Sequence, residues 1–391
     1  MPGLSDKTKI FTESVIRSMT RTANKYGSIN LSQGFPDFDP PKEITDKLSE
    51  IAKNGPHQYS VTWGAQNFRE ALVDKINNFT NLDLDPNKNV VITCGSTEAM
   101  MASLLSVINK DDKVIIFSPF YENYTADTIL SGATPIYVNL NPPEFSFNKE
   151  ELDAAFKQNP KAIVICNPSN PSGKVFTLEE LEYLSSLAIK YDTWVITDEV
   201  YEHIVYPPNK HIAIASLPNM KERTITCSSL SKTYSITGWR LGYIYGPERA
   251  LNAIKKVHDF LTVGAAAPLQ EAAIVGLKMP NSYYQDLEDL YVKKRDIFIS
   301  YLKEASLKYT TPQGAYFILV DISEFDATDD TKFCNWLAKE VKVAAVPGSS
   351  FFKENITHLI RFHFAKKEDT LHQAGKNLLN LRKIWEEKGY K

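Results

Sequence analysis

The chain has 391 residues, 43% of them hydrophobic and 23% charged, and a formal net charge of −3. This composition predicts a soluble globular protein with two or three domains. It provides no basic excess, so we expect no binding of nucleic acid. No apolar run approaches the ~20 residues that cross a membrane, and the first residues lack the apolar stretch of a secretion signal, which predicts a cytoplasmic protein.

The first forty residues contain one amphipathic pattern, Phe11–Tyr26, followed by an extended strip rich in proline. The amphipathic pattern predicts a helix. We expect this N-terminal segment, residues 1–45, to pack against the C-terminal part of the chain or against a partner subunit.

Residues 46–285 alternate short β-branched runs with longer helical patterns. Helices are predicted between the strands, for example over Thr97–Ile108 and over Thr177–Tyr191, which opens with a capping box. This alternation predicts a large α/β domain whose mostly parallel, seven-stranded sheet is covered on both faces. The predicted strands are Val90–Thr93, Lys113–Phe117, Pro135–Leu140, Ala162–Cys166, Trp194–Thr197, Thr224–Cys227 and Gly242–Tyr245.

The C-terminal part, residues 286–391, has a different pattern and predicts a smaller α+β domain. Its predicted elements, with the helix that leads into it, are a helix over Pro280–Ala305, a strand over Tyr316–Val320, a helix over Asp329–Lys339, strands over Val343–Val346 and Leu359–Phe364, and a final helix from Lys367.

The four cysteines are widely spaced and form no C-x-x-C pair; they are Cys94, Cys166, Cys227 and Cys334. This spacing predicts neither a metal site nor a disulfide framework.

The segment from Ser228 to Gly242 places Lys232 among hydroxyl side chains, with Arg240 following in the same segment. A lysine in such a mostly uncharged segment suits covalent chemistry with a carbonyl, including that of pyridoxal phosphate (PLP). A guanidinium suits a phosphate dianion. Ser229 and Lys232 also match S-x-x-K, the nucleophile motif of penicillin-recognising serine enzymes. Because no Lys-Thr-Gly element occurs, we interpret that match as accidental.

Two turns after predicted strands offer polar groups at the sheet edge where ligands bind. Gly95, Ser96 and Thr97 lie between a strand and a helix, as in a phosphate-binding helix N-terminus. By itself this turn is more typical of an ordinary N-cap. Asn170 lies in Asn-Pro-Ser-Asn-Pro, and two such Asn-Pro steps favour a cis peptide that fixes an amide in a pocket.

Three further residues stand in apolar surroundings. Asp198 ends an apolar strand, where a buried carboxylate needs a cation such as the protonated ring nitrogen of PLP; helix capping explains it about as well. Arg361 lies inside an apolar strand and requires a carboxylate, either a structural glutamate or a substrate. Tyr121 follows a Ser-Pro-Phe corner and suits stacking on a flat ring or simple core packing.

Taken together, these segments resemble the class I aminotransferases, which are fold-type I PLP enzymes. The resemblance extends from Asn30 to Arg361 and depends on the order of its elements. These elements are Gly34, Tyr59, Gly95, Ser96, Thr97, Tyr121, Asn170, Asp198, Tyr201, Ser229, Lys232, Arg240 and Arg361. Within the class, Leu-Ser-Gln-Gly-Phe-Pro-Asp-Phe and Lys-Thr-Tyr-Ser-Ile-Thr-Gly-Trp resemble the branch of kynurenine, glutamine and methionine aminotransferases.

The resemblance implies how the cofactor is held. Lys232 forms a Schiff base with PLP and later carries a proton, and Asp198 pairs with the pyridine nitrogen. Tyr201 and Asn170 hydrogen-bond the ring hydroxyl oxygen, and Tyr121 stacks on the ring.

The resemblance also implies how the phosphate and the substrate are bound. The phosphate ligands are Ser96, Thr97, Ser229, Arg240 and, from the neighbouring subunit, Tyr59. Arg361 binds the α-carboxylate of the substrate, helped by Asn170 and the Gly34 backbone. Because Tyr59 acts across an interface, a homodimer with shared sites is implied.

The predicted reaction moves the α-amino group of glutamine, methionine or an aromatic, kynurenine-like amino acid to a 2-oxo acid. No second basic residue is marked for a side-chain carboxylate, and Ile16 stands where relatives place a capping aromatic. Trp63, Tyr59 and Phe35 are candidates for an apolar pocket wall.

Three alternatives stay open from the sequence. The same cofactor chemistry serves a β-lyase that cleaves C–S bonds of cysteine conjugates or cystathionine, and an aspartate aminotransferase is a further alternative. A non-enzymatic effector domain of a regulator is disfavoured, because the chain has no added DNA-binding domain and no basic patch.

Overall fold

The computed structural model describes residues 2–11, 13–325, 327 and 329–389. A few residues of the predicted N-terminal segment and C-terminal domain lie outside the described residues; they are residues 1, 12, 326, 328, 390 and 391. The strands are β1 (Ile29–Asn30), β2 (Val90–Thr93), β3 (Lys113–Ser118), β4 (Thr134–Asn141), β5 (Ser146–Phe147), β6 (Ala162–Cys166), β7 (Trp194–Asp198), β8 (Thr224–Ser229), β9 (Gly242–Tyr245), β10 (Lys308–Tyr309), β11 (Phe317–Asp321), β12 (Val343–Ala344), β13 (Val346–Pro347) and β14 (Leu359–His363).

The α-helices surround these strands. They are α1 (Val15–Tyr26), α2 (Lys42–Asn54), α3 (Gln66–Thr80), α4 (Ser96–Val107), α5 (Asn123–Leu130), α6 (Lys149–Phe156), α7 (Leu178–Lys190), α8 (Glu248–Thr262), α9 (Ala267–Leu277), α10 (Asn281–Glu304), α11 (Asp330–Trp336), α12 (Glu368–Leu379) and α13 (Leu381–Lys388).

An eight-stranded sheet forms the centre of the fold, in the order β2-β9-β8-β7-β6-β3-β4-β5. The five strands from β8 to β4 pair in parallel, whereas β9 is antiparallel to both neighbours and β5 is antiparallel to β4. All seven predicted strands are present, so the mostly parallel α/β sheet is confirmed. The eighth strand, β5, escaped prediction because its two residues are too few to show a strand period.

The sheet is covered on both faces because alternate residues of its central strands belong to different hydrophobic clusters. Ile115, Ile163 and Val195 pack in one cluster with helices α6 and α7. Their neighbours Val114 and Ile196 pack in another cluster, with α4 and α8. Near-continuous apolar strands are the sequence pattern that such double coverage requires.

A second sheet has four antiparallel strands in the order β10-β11-β14-β13, and helices α10 and α12 contribute to the core beside it. The predicted single strand Val343–Val346 is wrong. The structure divides it into β12, which pairs with β1, and β13, which pairs with β14, because the chain leaves one sheet for the other at Ala345.

The N-terminal segment packs on the C-terminal part of the chain through β1 and α1. The predicted helix Phe11–Tyr26 begins only at Val15, because Ser14 accepts the N–H of Arg17 and caps it. Helix α11 ends at Trp336, and the predicted remainder continues as a π-helix over Leu337–Val341.

The predicted domain boundaries after residues 45 and 285 remain predictions; the first lies inside α2 and the second inside α10. Within the described ranges, no helix has both the length and the apolar character needed to span a membrane. The cytoplasmic location also stays a prediction.

The strand directions bring several turns to one edge of the large sheet. Strands β3, β6, β7 and β8 are parallel, and two successive antiparallel pairings through β9 give β2 the same direction. Their carboxyl ends therefore meet at a single edge, which is where ligands of such sheets bind.

Candidate active site

A cavity of about 880 Å³ opens at the edge where these strands end. Its walls come from the turns after the strands, from α1, and from β11 and β14 of the smaller sheet. Of the residues predicted from the sequence, the cavity is lined by Gly34, Ser96, Thr97, Tyr121, Asn170, Asp198, Tyr201, Ser229, Lys232, Arg240 and Arg361. Residues from both ends of the chain thus face one space.

Lys232 lies in the turn after β8 and is half-buried in the cavity wall. Its Nζ donates to the carbonyl oxygen of Gly34 at 3.4 Å and lies 6.0 Å from the ring of Tyr201. The phenol of Tyr316 donates to the same carbonyl at 2.8 Å. A Cβ at position 34 would lie 2.8 Å from the ring of Phe317, so only glycine fits where this carbonyl faces the amine.

Asp198 ends β7 and is buried, with 8% of its surface exposed. Its Oδ2 accepts the phenol of Tyr124 at 2.7 Å, and its Oδ1 accepts the N–H of Val200 at 3.3 Å. No basic side chain of the described residues forms an ion pair with it. Burial raises the pKa of Asp198, although the bond from Tyr124 and the charge of Lys232 oppose this.

Tyr124 is a site residue that the sequence did not reveal. Burial raises its pKa well above the ordinary value, so the phenol stays protonated at neutral pH and donates to Asp198. Its position three residues after Tyr121 places both rings at one turn, where they meet edge to face at 5.8 Å. That spacing was the available signal, but it is common in cores as well.

Arg361 projects from β14 and is 1% exposed. Its Nη1 donates to Oδ1 of Asn170 at 2.6 Å and its Nη2 to the carbonyl of Ser32 at 2.9 Å. The guanidinium lies between the rings of Phe317 and Phe351, 4.3 and 4.4 Å from their centroids.

The buried Nε of Arg361 has no hydrogen-bond partner, and no carboxylate of the described residues pairs with the group. Burial lowers the pKa of Arg361 to about 10. An unpaired guanidinium in such surroundings is a costly group that an incoming carboxylate would satisfy.

The peptide bond between Asn170 and Pro171 is cis, as is that between Asn167 and Pro168. The predicted cis turn is therefore confirmed, and it accompanies an amide that contacts Arg361 at the cavity. The amide of Asn167 instead contacts backbone groups of Phe176 and Ile212.

The turn before α4 is built around close backbone contacts. Gly95 has φ +87°, and a Cβ there would lie 2.2 Å from Nη2 of Arg240. A Cβ on Gly242 would lie 2.3 Å from the carbonyl carbon of Gly95. Two glycines thus let the guanidinium of Arg240 lie against the N-terminus of α4, where Ser96 and Thr97 expose free N–H groups.

Two predicted wall residues do not line the cavity. Tyr59 is 89% exposed, and Trp63 instead has the ammonium of Lys255 5.2 Å from its ring centroid. Phe35 lines the cavity as expected, and so does Ile16 from α1. Arg17, a basic residue that the sequence pattern had not marked, lines it too.

Comparison with known proteins agrees with this geometry. A family model described as class I and II aminotransferases matches residues 26–378. The chain belongs to this family.

Three relatives are similar over nearly the whole chain. The methionine aminotransferase of Escherichia coli is 36% identical over 375 residues, 96% of each chain. The human kynurenine–oxoglutarate transaminase 3 is 35% identical, covering 91% of this chain and 85% of its own. A solved E. coli structure, reported as having a methionine aminotransferase function, superposes with a TM-score of 0.93 at 35% identity, covering 97% of this chain and all of that one.

This aminotransferase therefore acts on amino acids and uses PLP. The cavity fits the cofactor in two respects. The glycines around Arg240 leave a cradle that a Cβ would fill, with the free N–H groups of a helix N-terminus and a cation suited to a phosphate. Asp198 is a buried carboxylate without a cation, and a protonated ring nitrogen supplies one.

The hydrogen bond from Tyr124 to Asp198 should affect how the stability of the cofactor-free protein depends on pH. Because the pKa of Asp198 is raised, the folded state favours the protonated carboxyl, and stability falls as the pH rises through that pKa. Tyr124 limits this loss. We expect Tyr124→Phe to lower the free energy of unfolding by about 1.5–3 kcal/mol at neutral pH and by much less near pH 4.

Urea unfolding from pH 4 to pH 8 measures this difference. The control is Tyr183→Phe, since that phenol donates to Asp153 at the same 2.7 Å but does so away from the cavity. A pH-independent loss in Tyr124→Phe, or an equal pH dependence in the control, would contradict the assignment.

Proposed function

We propose that Nζ of Lys232 is the amine that would bind PLP covalently and that, once the substrate's amino group has replaced it there, the freed amine would serve as the acid–base group of transamination. Lys232 is the one amine among the described residues that line the cavity. Nζ donates to the carbonyl of Gly34, and Gly34 lines the same cavity as Arg361. An amine in this position suits both nucleophilic attachment and proton transfer.

We assign the remaining cofactor contacts as the resemblance implies, and the position of these side chains in one cavity supports the assignment. Asp198 would pair with the ring nitrogen as an anion, Tyr201 and Asn170 would hydrogen-bond the ring hydroxyl, and Tyr121 would stack on the ring. Burial raises the pKa of Tyr121 to about 12, so it acts as a neutral aromatic wall. The phosphate is assigned to Ser96, Thr97, Ser229 and Arg240.

The observation that carries the substrate assignment is the buried, unpaired guanidinium of Arg361. Asn170 accepts a hydrogen bond from Nη1 and the Ser32 carbonyl accepts one from Nη2, whereas Nε has no hydrogen-bond partner. Two phenyl rings pack against the group, which is almost fully buried. We assign it to the α-carboxylate of the amino acid and of the 2-oxo acid, the charge that both substrates share.

The bound cofactor supplies delocalisation of the electrons left when the substrate loses its α-proton. The chain supplies the rest. Arg361 would hold the substrate carboxylate, and Nζ of Lys232 would take the proton from the substrate Cα and hold it for the return step. Asp198, as an anion, would favour the protonated form of the ring nitrogen of a bound cofactor.

We propose that the amino donors of the reaction are amino acids with uncharged side chains, such as methionine, glutamine, phenylalanine and kynurenine. Phe11, Ile16 and Phe35 give the cavity an apolar wall. Arg17 and Glu122 also line it, one of each sign, and Glu122 is engaged with Ser14 and the N–H of Val15 at the start of α1. The charges of Arg17 and Glu122 therefore cancel, and these two residues provide no excess positive charge for a second carboxylate.

A homodimer is supported by the exposure of apolar side chains around Tyr59. Val61 is 46% exposed, and Phe260 and Val263 are 92% and 49% exposed. These two stretches are neighbours, since His258 contacts the carbonyl of Thr62. Exposed apolar patches of this kind mark interfaces, and a second copy would cover this one and bring Tyr59 to the partner's phosphate.

The covalent assignment predicts that borohydride reduction of the yellow protein leaves the cofactor attached to Lys232 in the mass spectrum of its peptides. Lys232→Ala should abolish that attachment and the transamination of every donor, because the attacking amine is gone. The exposed Lys210→Ala serves as control and should behave as the wild type. Attachment at another lysine, or its survival in Lys232→Ala, would refute the assignment.

The substrate assignment predicts a ranking of donors. With 2-oxo acid acceptors, kcat/KM for methionine, glutamine and phenylalanine should exceed that for aspartate by about 10-fold or more. Arg361→Gln should lower kcat/KM for all donors alike by about two to three orders of magnitude, because each shares the α-carboxylate. Arg382→Gln removes a surface ion pair with Glu324 and should leave kcat/KM unchanged for every donor.

A preference for aspartate would overturn the donor assignment. Release of pyruvate and ammonia from cystathionine without any 2-oxo acid, at a rate above transamination, would instead favour the β-lyase alternative.

The dimer assignment predicts that sedimentation equilibrium gives twice the mass of one chain. Phe260→Glu should shift the protein toward monomers and weaken cofactor retention, because a charge would be buried in the interface. Ile189→Glu changes a 40% exposed apolar residue on α7 and should leave the dimer intact. A wild-type monomer that retains PLP would contradict the shared site.

A further inference from the structure

A buried ionisable pair lies directly behind the phosphate turn and is not used by the mechanism above. Glu98 is the third residue of α4, and His258 lies near the C-terminal end of α8. The Nδ1 of His258 is 2.5 Å from Oε1 of Glu98, and their side chains are 0% and 9% exposed. The opposite nitrogen, Nε2, is 2.8 Å from the carbonyl oxygen of Thr62.

These contacts determine the charge of the pair. A carbonyl oxygen only accepts, so Nε2 of His258 must carry a proton. A second proton must lie between Nδ1 and Oε1, since two bare acceptors would repel at that distance. Burial lowers the pKa of His258, but the hydrogen bond and charge of Glu98 outweigh burial and raise it. The pair therefore has no net charge, and the direction of the pKa shift favours an imidazolium beside a carboxylate.

Glu98 also holds the turn itself. Its Oε2 accepts the N–H of Cys94 at 2.5 Å, immediately before Gly95, and its Oε1 accepts the hydroxyl of Thr262 at 3.0 Å. Cys94 in turn donates its thiol to the carbonyl of Gly264 at 3.6 Å. One carboxylate thus connects the start of α4 to the end of α8.

The anion Glu98 lies at the N-terminus of α4, which is the helix end that favours a negative charge. The same N-terminus of α4, however, is where the phosphate dianion is assigned. A bare Glu98 carboxylate would compete with that dianion for the helix end and would repel it through a buried, poorly screened space. The imidazolium of His258 removes this conflict.

We propose that His258 is a positioning residue for the cofactor phosphate, which it serves by neutralising Glu98 while Glu98 holds the turn at Cys94. The proposal rests on the phosphate site assigned above to Ser96, Thr97 and Arg240. His258 touches neither the cofactor nor the substrate and acts through Glu98. Its effect should be specific to the phosphate, because the ring and the substrate are held by other groups.

The test compares PLP with pyridoxal, which has the same ring but no phosphate. Full-length protein stripped of cofactor is titrated with each, and the two dissociation constants are measured by absorbance. We expect His258→Gln to raise the dissociation constant of PLP about 10-fold or more and that of pyridoxal by less than about 2-fold. The double variant Glu98→Gln/His258→Gln, which removes the anion as well, should return PLP affinity to within about 3-fold of wild type.

The matched control is His372→Gln, which removes a half-buried histidine that contacts Tyr301 away from the cavity. It should change neither dissociation constant. Equal weakening of PLP and pyridoxal in His258→Gln, or failure of the double variant to recover, would show a purely structural role and overturn the proposal.

If His258→Gln does not fold, Glu98→Gln alone decides. The proposal expects PLP affinity within about 3-fold of wild type, because an uncharged residue poses no conflict with the phosphate, and a phosphate-specific loss of 10-fold would overturn it. A wild type that binds PLP no better than pyridoxal would instead refute the assigned phosphate site itself. The two failures are therefore distinguishable.

Discussion

The cavity buries two opposite charges that its own chain does not pair. Asp198 and Arg361 are 8% and 1% exposed, and neither forms an ion pair with a described residue. A protein core normally avoids this arrangement, because an uncompensated buried charge is costly. The surrounding structure must therefore hold both groups in place until ligands of opposite charge arrive, and each neighbouring contact can be understood from that requirement.

The two charges are supported in different ways. Asp198 receives a phenol and a backbone N–H, both of which favour its ionised form. Arg361 donates to an amide and a carbonyl and lies between two aromatic rings, which fix its plane without neutralising it. Neutral partners orient a charge but leave it unpaired, and this leaves each group available to a charged ligand.

The end of the cavity to which we assign the phosphate differs, because its buried charge is paired. There an anion, Glu98, already lies at the helix N-terminus, and a buried histidine pairs with it. The Glu98 carboxylate can then accept the N–H of Cys94, while the remaining N–H groups of the turn stay available to another anion. Asp198 and Arg361 are unpaired where we assign the ring and the substrate, and Glu98 is paired behind the turn that we assign to the phosphate. This pattern is consistent with a site in which only the ligand completes the charge balance.

The sequence by itself determined the strands of the large sheet and most of the cavity. Apolar β-branched runs predicted all seven of its longer strands, and polar residues at their ends predicted Asp198, Asn170 and Lys232, because strand direction alone brings such ends together. The resemblance of ordered motifs to a family added Gly34, which faces Lys232 through its carbonyl.

Only the tertiary structure decided contacts made by side chains that carry no motif. Tyr124, Phe351 and His258 reach the site or its support through packing between distant elements, and nothing in their local sequence distinguishes them from core residues. Val343–Val346 shows the same limit for the backbone. Its apolar pattern predicts one strand, but the two edges available to it lie in different sheets, and only their positions in space divide it.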